Sequence, residues 1–168
     1  MTLMPIRTLG DPVLREPTRP VESFDAALRR LAEDMLETMY EAPGVGLAAN
    51  QVGLSIACFV YDDRDGGAGF VANPIVSDLT GEDILEEGCL SIPGPYHPTM
   101  RAARVRLRGR ELDGKPIDRV AEGLLARIFQ HETDHLNGML YIDRLTDEGR
   151  RDVMRQLREL EMKAPPEH

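Results

Sequence analysis

A chain of 168 residues, 42 % hydrophobic and 29 % charged, favours a single domain with a core that needs no disulfide staples. Its net charge of −9, from 20 basic against 29 acidic residues, argues against broad nonspecific binding to DNA or RNA and leaves room only for a local basic patch. Two cysteines, Cys58 and Cys89, make no disulfide framework, and no run resembles a signal peptide or a membrane span, so a reducing cytoplasm is expected and a membrane partner is not.

Taken in order, the chain opens on Pro5, Pro12, Pro17 and Pro20, which predict an extended arm with a short turn near Asp11-Pro12-Val13-Leu14-Arg15. Ser23 offers an N-cap to a helix whose stripe is Leu28, Leu31, Met35, Leu36 and Met39, ended by Pro43-Gly44. The segment from Gly44 to Gly53 brackets small apolar residues and one amide, Gln51, between glycines. No Gly-Lys-Ser/Thr follows, so a phosphate loop is disfavoured. Either a tight turn or a close backbone approach to a ligand fits. Residues 55–61 predict a buried strand, with Cys58 as a small inert hydrophobe.

After a glycine-rich loop, 70–72 and 75–87 read as strands broken near Thr80-Gly81, hence a hairpin or meander. Pro93-Gly94-Pro95 reads as a rigid turn, and Asp113-Gly114 as the turn between strands around 105–112 and 117–120. A helix from about 122 to 137 follows, with Leu124, Leu125, Ile128, Phe129 and Leu136 as its apolar stripe and Gly138 as its stop. A C-terminal helix from Thr146 to Met162 carries Val153, Met154, Leu157 and Leu160 on one face. Residues 163–168 read as a disordered tail.

The 122–137 helix carries His131-Glu132-Thr133-Asp134-His135. Positions i and i+4 share one helix face, so two imidazoles can aim at one ion while the glutamate between them serves as general base. A polar face with two solvated histidines is the plain alternative, and the apolar flanks disfavour it. Tyr141 stands where the longer metzincin pattern needs a third histidine, and His97 and His168 lack a partner motif. Cys89 is the better third ligand. One thiolate and two imidazoles leave a coordination position open, the arrangement of a catalytic metal, and an ion there lowers the pKa of water from about 15.7 towards about 7. With Glu132 as the proton carrier, the combination points to metal-assisted hydrolysis of a carbonyl compound, an amide being the expected case.

Gly44-Val45-Gly46-Leu47-Ala48-Ala49-Asn50-Gln51, Glu87-Gly88-Cys89-Leu90-Ser91 and Gln130-His131-Glu132-Thr133-Asp134-His135 resemble the three motifs of the peptide deformylases, in order and spacing. Gly10-Asp11-Pro12-Val13-Leu14-Arg15 and Asn73-Pro74 extend the resemblance, which runs to about Leu145. It implies an α+β fold, antiparallel β-sheets packed around a central helix carrying the H-E-x-x-H motif, with a C-terminal helix. It implies removal of the N-formyl group from the initiator methionine of nascent polypeptides, releasing formate. Carried over by position, Cys89, His131 and His135 hold the metal and Glu132 is the acid/base. Gln51 and the backbone N–H of Leu90 hold the formyl oxygen, and Gly46 lies by the reacting group.

Val45, Leu124 and Ile128 are then expected to line the methionine pocket, and Arg101 to lie near the peptide backbone; ordinary packing is the alternative for each. The family's metal is Fe2+, with Ni2+, Co2+ or Zn2+ in preparations, whereas the ligand set alone suggests zinc. Arg150, Arg151, Arg155 and Arg158 either dock on the ribosome or stay solvated on a helix packed against the body, the second reading being favoured. The rival functions are a general metallopeptidase, which leaves Cys89 and Gln51 unexplained, and a noncatalytic metal-stabilised module.

Overall fold

The computed structural model describes residues 2–163, so the segment expected to be disordered lies, from residue 164 on, outside the described residues. The proline-rich arm wraps the body as expected. Arg7 N–H donates to Gln51 O at 2.7 Å, Leu9 N–H to Ser91 O at 2.8 Å, and Thr18 N–H to Leu136 O at 3.0 Å. A 3-10 turn at Pro12–Arg15 is capped by Asp11, whose side chain accepts from Val13 N–H. Helix α1 spans Ala26–Glu41. Its cap is Asp25 and not Ser23: Asp25 stands three residues before the otherwise free N–H of Leu28 and accepts from it at 3.0 Å.

Strand β1 (Gly46–Ala48) leads through a 3-10 turn (Ala49–Val52) to β2 (Cys58–Asp62) and β3 (Ala68–Thr80). Next come β4 (Asp83–Cys89), β5 (Ile92–Arg101), β6 (Arg104–Arg110), β7 (Pro116–Glu122), α2 (Gly123–Leu136) and α3 (Asp147–Lys163). The main sheet has the order β1-β2-β3-β6-β7, and β4 and β5 form a sheet of their own. All named pairings are antiparallel.

Two expectations fail here. The strands flanking Thr80-Gly81 do not pair with each other: β3 pairs with β6, and the chain leaves the main sheet at Gly81 to start β4. Pro93-Gly94-Pro95 lies inside β5. Proline is tolerated there because this segment forms no ladder with β4, whose recorded partners jump from Cys89↔Ile92 to Glu87↔His97.

Helix α2 lies between the two sheets. Ala126, Phe129 and Leu136 pack with Phe59, Val71, Val105 and Leu107 of the main sheet, where Phe129 and Tyr61 meet edge to face at 5.1 Å. On the other side of the main sheet's first strands, Leu28, Ala32, Met35 and Met39 of α1 pack with Leu47, Cys58 and Val60. Thr146 caps α3 by accepting from Gly149 N–H, and Val153 buries against Ile92, Leu140, Tyr141 and Ile142. The architecture is α+β, with antiparallel sheets on either side of the motif helix and a C-terminal helix, as the resemblance implied.

Candidate metal centre and its cleft

One helical turn separates His131 and His135, and their Nε2 atoms lie 3.1 Å apart. Cys89, at the end of β4, brings Sγ to 3.3 Å from His135 Nε2. The three donor atoms all lie within 4.8 Å of one another. A tetrahedral ion with bonds of about 2.0–2.3 Å needs its donors roughly 3.3–3.6 Å apart, so the group fits a single cation.

Specific hydrogen bonds hold His131 and the turn that carries His135. His131 turns Nδ1 to the carboxylate of Glu87, which leaves Nε2 facing the other donors. Asn50, fully buried, donates to His135 O at 2.6 Å and fixes the helix end that carries this histidine. Gln51 is held at both ends. Its Oε1 accepts from Ala48 N–H at 2.9 Å, and its Nε2 donates to Ser91 Oγ at 3.1 Å and lies 3.6 Å from Cys89 Sγ. The amide is thereby fixed beside Cys89 Sγ.

Glu87 is buried between two guanidinium groups and one imidazole. Arg101 donates to both its oxygens, at 2.6 and 3.2 Å, Arg127 donates to Oε2 at 2.7 Å, and His131 completes the set. Burial acts to raise the Glu87 pKa, but His131 and Arg101 outweigh it and hold the carboxyl well below the usual range. Arg101 also donates to Asp134 at 2.6 Å, and Asp134 in turn accepts from Arg144. Arg101 thus departs from its expected place. Its buried guanidinium joins Glu87 to Asp134 and lines no part of the cleft that opens from the Cys89, His131 and His135 group.

Glu132 is 4 % exposed, and among the described residues its Oε2 has no hydrogen-bond partner. Burial pushes its pKa up to about 7 against the pull of His131. Gly46 on β1 faces it so closely that a Cβ there would sit 2.7 Å from Glu132 Oε1.

A cleft of about 690 Å³ opens from this cluster. Gly46, Gln51, Cys89, Leu90, His131 and Glu132 line it, together with Val45, Leu124 and Ile128, so these predicted residues come together. Ile128 is buried, while Val45 and Leu124 are partly exposed at the walls. Glu87, Arg127, Asn50 and Ser91 were given no role by sequence. A signal existed for Glu87 alone: strand period places it two residues before Cys89, on the same face.

The fold is α+β, and Cys89, His131 and His135 form a group able to hold a metal on an H-E-x-x-H helix, as in a metal-dependent hydrolase. The family model described as Polypeptide deformylase matches residues 3–151, and the chain belongs to that family. A peptide deformylase of Acidothermus cellulolyticus is 50 % identical over 161 residues, covering 96 % of this chain and 89 % of the relative. One from Halothermothrix orenii is 47 % identical over 150 residues, covering 89 % and 97 %. Among solved structures, a peptide deformylase from Legionella pneumophila superposes with a TM-score of 0.89 at 40 % identity, covering 98 % of this chain and all of that one. That of Thermus thermophilus gives 0.88 at 44 % identity, covering 97 % and 100 %.

Proposed function

We propose that this chain hydrolyses the formyl amide at the N-terminus of nascent polypeptides that begin with formylmethionine, releasing formate and a free amine. Family membership supports the reaction class. The observation that carries the chemistry is Glu132: a buried carboxylate with one unpaired oxygen, beside three converging ligands, at the closed end of a cleft with apolar walls.

Cys89, His131 and His135 would hold the ion, which the resemblance makes ferrous, with zinc, nickel or cobalt as substitutes. When bound, it supplies Lewis-acid polarisation and lowers the pKa of water beside it. Glu132 accepts the proton of the attacking water and delivers it to the departing amine nitrogen. The water oxygen ends in formate, and the carbon–nitrogen bond breaks. The Gln51 side-chain amide and the Leu90 N–H donate to the formyl oxygen as charge gathers there; such donors contribute about 3–4 kcal/mol when they are fixed in advance. Gly46 leaves space for the formyl group, and Val45, Leu124 and Ile128 surround the methionine side chain.

The chain works in the cytoplasm in this reading; among the described residues no helix is long and apolar enough to cross a membrane. The reading extends to ribosome contact through α3, where Arg151 and Arg158 form no ion pair among the described residues. Reversing both charges is expected to weaken salt-sensitive cosedimentation with ribosomes. The central test is formate release from formyl-Met, acetyl-Met and unblocked peptides by anaerobically purified protein, with elemental analysis of the same sample. Turnover confined to the formyl peptide is expected, and cleavage of internal peptide bonds would overturn the assignment.

A further inference from the structure

We propose that helix α3, through Gln156 and Leu160, positions the outer wall of the cleft and so governs binding of the peptide residues that follow the formylated one. The inference rests on the deformylase reading and adds the part of the molecule that recognises a longer chain.

The wall in question is residues 93–96 of β5, a segment of the cleft lining that forms no recorded ladder with β4. Unpaired main-chain groups need partners from elsewhere. Gln156 supplies them: its Oε1 accepts from Tyr96 N–H at 3.3 Å and its Nε2 donates to Tyr96 O at 3.1 Å. Asp152 orients the same amide at 3.1 Å. One turn further along α3, Leu160 occupies the space a side chain at Gly94 would need, with Cδ1 2.3 Å from the position of a Cβ, and Gly94 itself is at φ +106°. This part of the strand therefore takes its shape from α3 and not from its sheet.

What α3 holds in place is an aromatic surface. Tyr96 is 60 % exposed, and its ring lies over Gly88, the neighbour of the ligand Cys89; a Cβ at 88 would stand 2.6 Å from Tyr96 Cε1. An exposed ring at the mouth of a cleft is a platform for apolar or aromatic side chains. The cleft of about 690 Å³ continues from the donor cluster to this ring, so an extended peptide reaches Tyr96 with residues beyond its first. Gln156 and Leu160 are positioning residues, acting through Tyr96.

The test compares formyl-Met amide with a formyl-Met tetrapeptide carrying an aromatic third residue, on metal-loaded wild type and on Gln156→Ala and Leu160→Ala, each checked by thermal melting. For the variants, the ratio of kcat/KM for the tetrapeptide to that for the amide should fall about threefold to tenfold, through KM. Calorimetric binding of the deformylated tetrapeptide should weaken in parallel. An equal change on both substrates, or none in folded variants, overturns the inference. Wild-type protein that releases no formate from either substrate overturns the functional reading itself, a separate outcome.

Discussion

A Cβ at position 46 would sit 2.7 Å from Glu132 Oε1 and 3.0 Å from its Cγ and Cδ, closer than real Cβ atoms approach. Glu132 is buried on the central helix, so its side chain has little room to shift. Gly46→Ala must therefore move the carboxylate by some tenths of an ångström while touching no ligand. We expect kcat to fall about a hundredfold, with metal content and thermal midpoint near wild type; an unchanged kcat would show that the carboxylate needs no fixed place. Glu132→Gln keeps the shape and removes the proposed base. It should retain metal by elemental analysis and lose about 10²–10⁴ in kcat. The His131–His135 pair was legible in the sequence as a candidate because helix period alone puts i and i+4 on one face, and the motif between them singled out Glu132. Arg101 was not, because a surface arginine and one buried between Glu87 and Asp134 have the same local sequence signature, and only the crossing of β5 with α2 separates them.

Strand existence was legible from alternation and turn residues, but strand partners were not. β3 departs from its ladder with β6 at two register shifts, where Asn73 and Asp78 adopt φ of 54° and 53°, and no local pattern says that β4 then starts a second sheet. Long-range polar ties fix such choices. Asp143, in the 3-10 turn Tyr141–Arg144, accepts from Leu140 N–H at 2.9 Å, from Arg15 of the N-terminal arm and from Arg150 of α3 at 3.1 Å. Burial acts to raise its pKa, yet the Arg15 and Leu140 hydrogen bonds hold it below the usual value. The two arginines are close to half exposed, so screening leaves most of the benefit with the Leu140 bond. Asp143→Ala should cost about 1–2 kcal/mol in denaturant unfolding. A carboxyl whose folded pKa is depressed stabilises fully above its unfolded pKa of about 3.9 and loses that contribution as pH falls through the lower folded value. Between pH 5 and acid, wild type should thus lose stability more steeply than Asp143→Asn; parallel slopes would remove the carboxylate from this role.

Across the whole molecule, the β4–β5 sheet is tied to α2 twice. One tie is the Cys89–His131–His135 group and the other is Glu87 with Arg101 and Arg127, and the two meet at His131. Because the ion pairs need no metal, chelation should leave the far-UV circular dichroism intact. It should still lower the thermal midpoint: an ion at 1,000 times its dissociation constant adds about 4 kcal/mol, or roughly 8–16 °C for a chain of this size. Glu87→Ala acts on both ties. It takes one of two carboxylate partners from each of two buried guanidinium groups, leaving Arg101 with Asp134 and Arg127 with Asp83, at a cost of up to about 3–5 kcal/mol, and frees His131 to turn away, weakening metal affinity about 10–100-fold. Groups that share a residue are not additive. The fall in midpoint on chelation should therefore be smaller in Glu87→Ala than in wild type, when both are compared at one free-metal concentration. Equal falls would mean that the carboxylate stabilises the sheet without orienting the ligand, and that the two ties are independent.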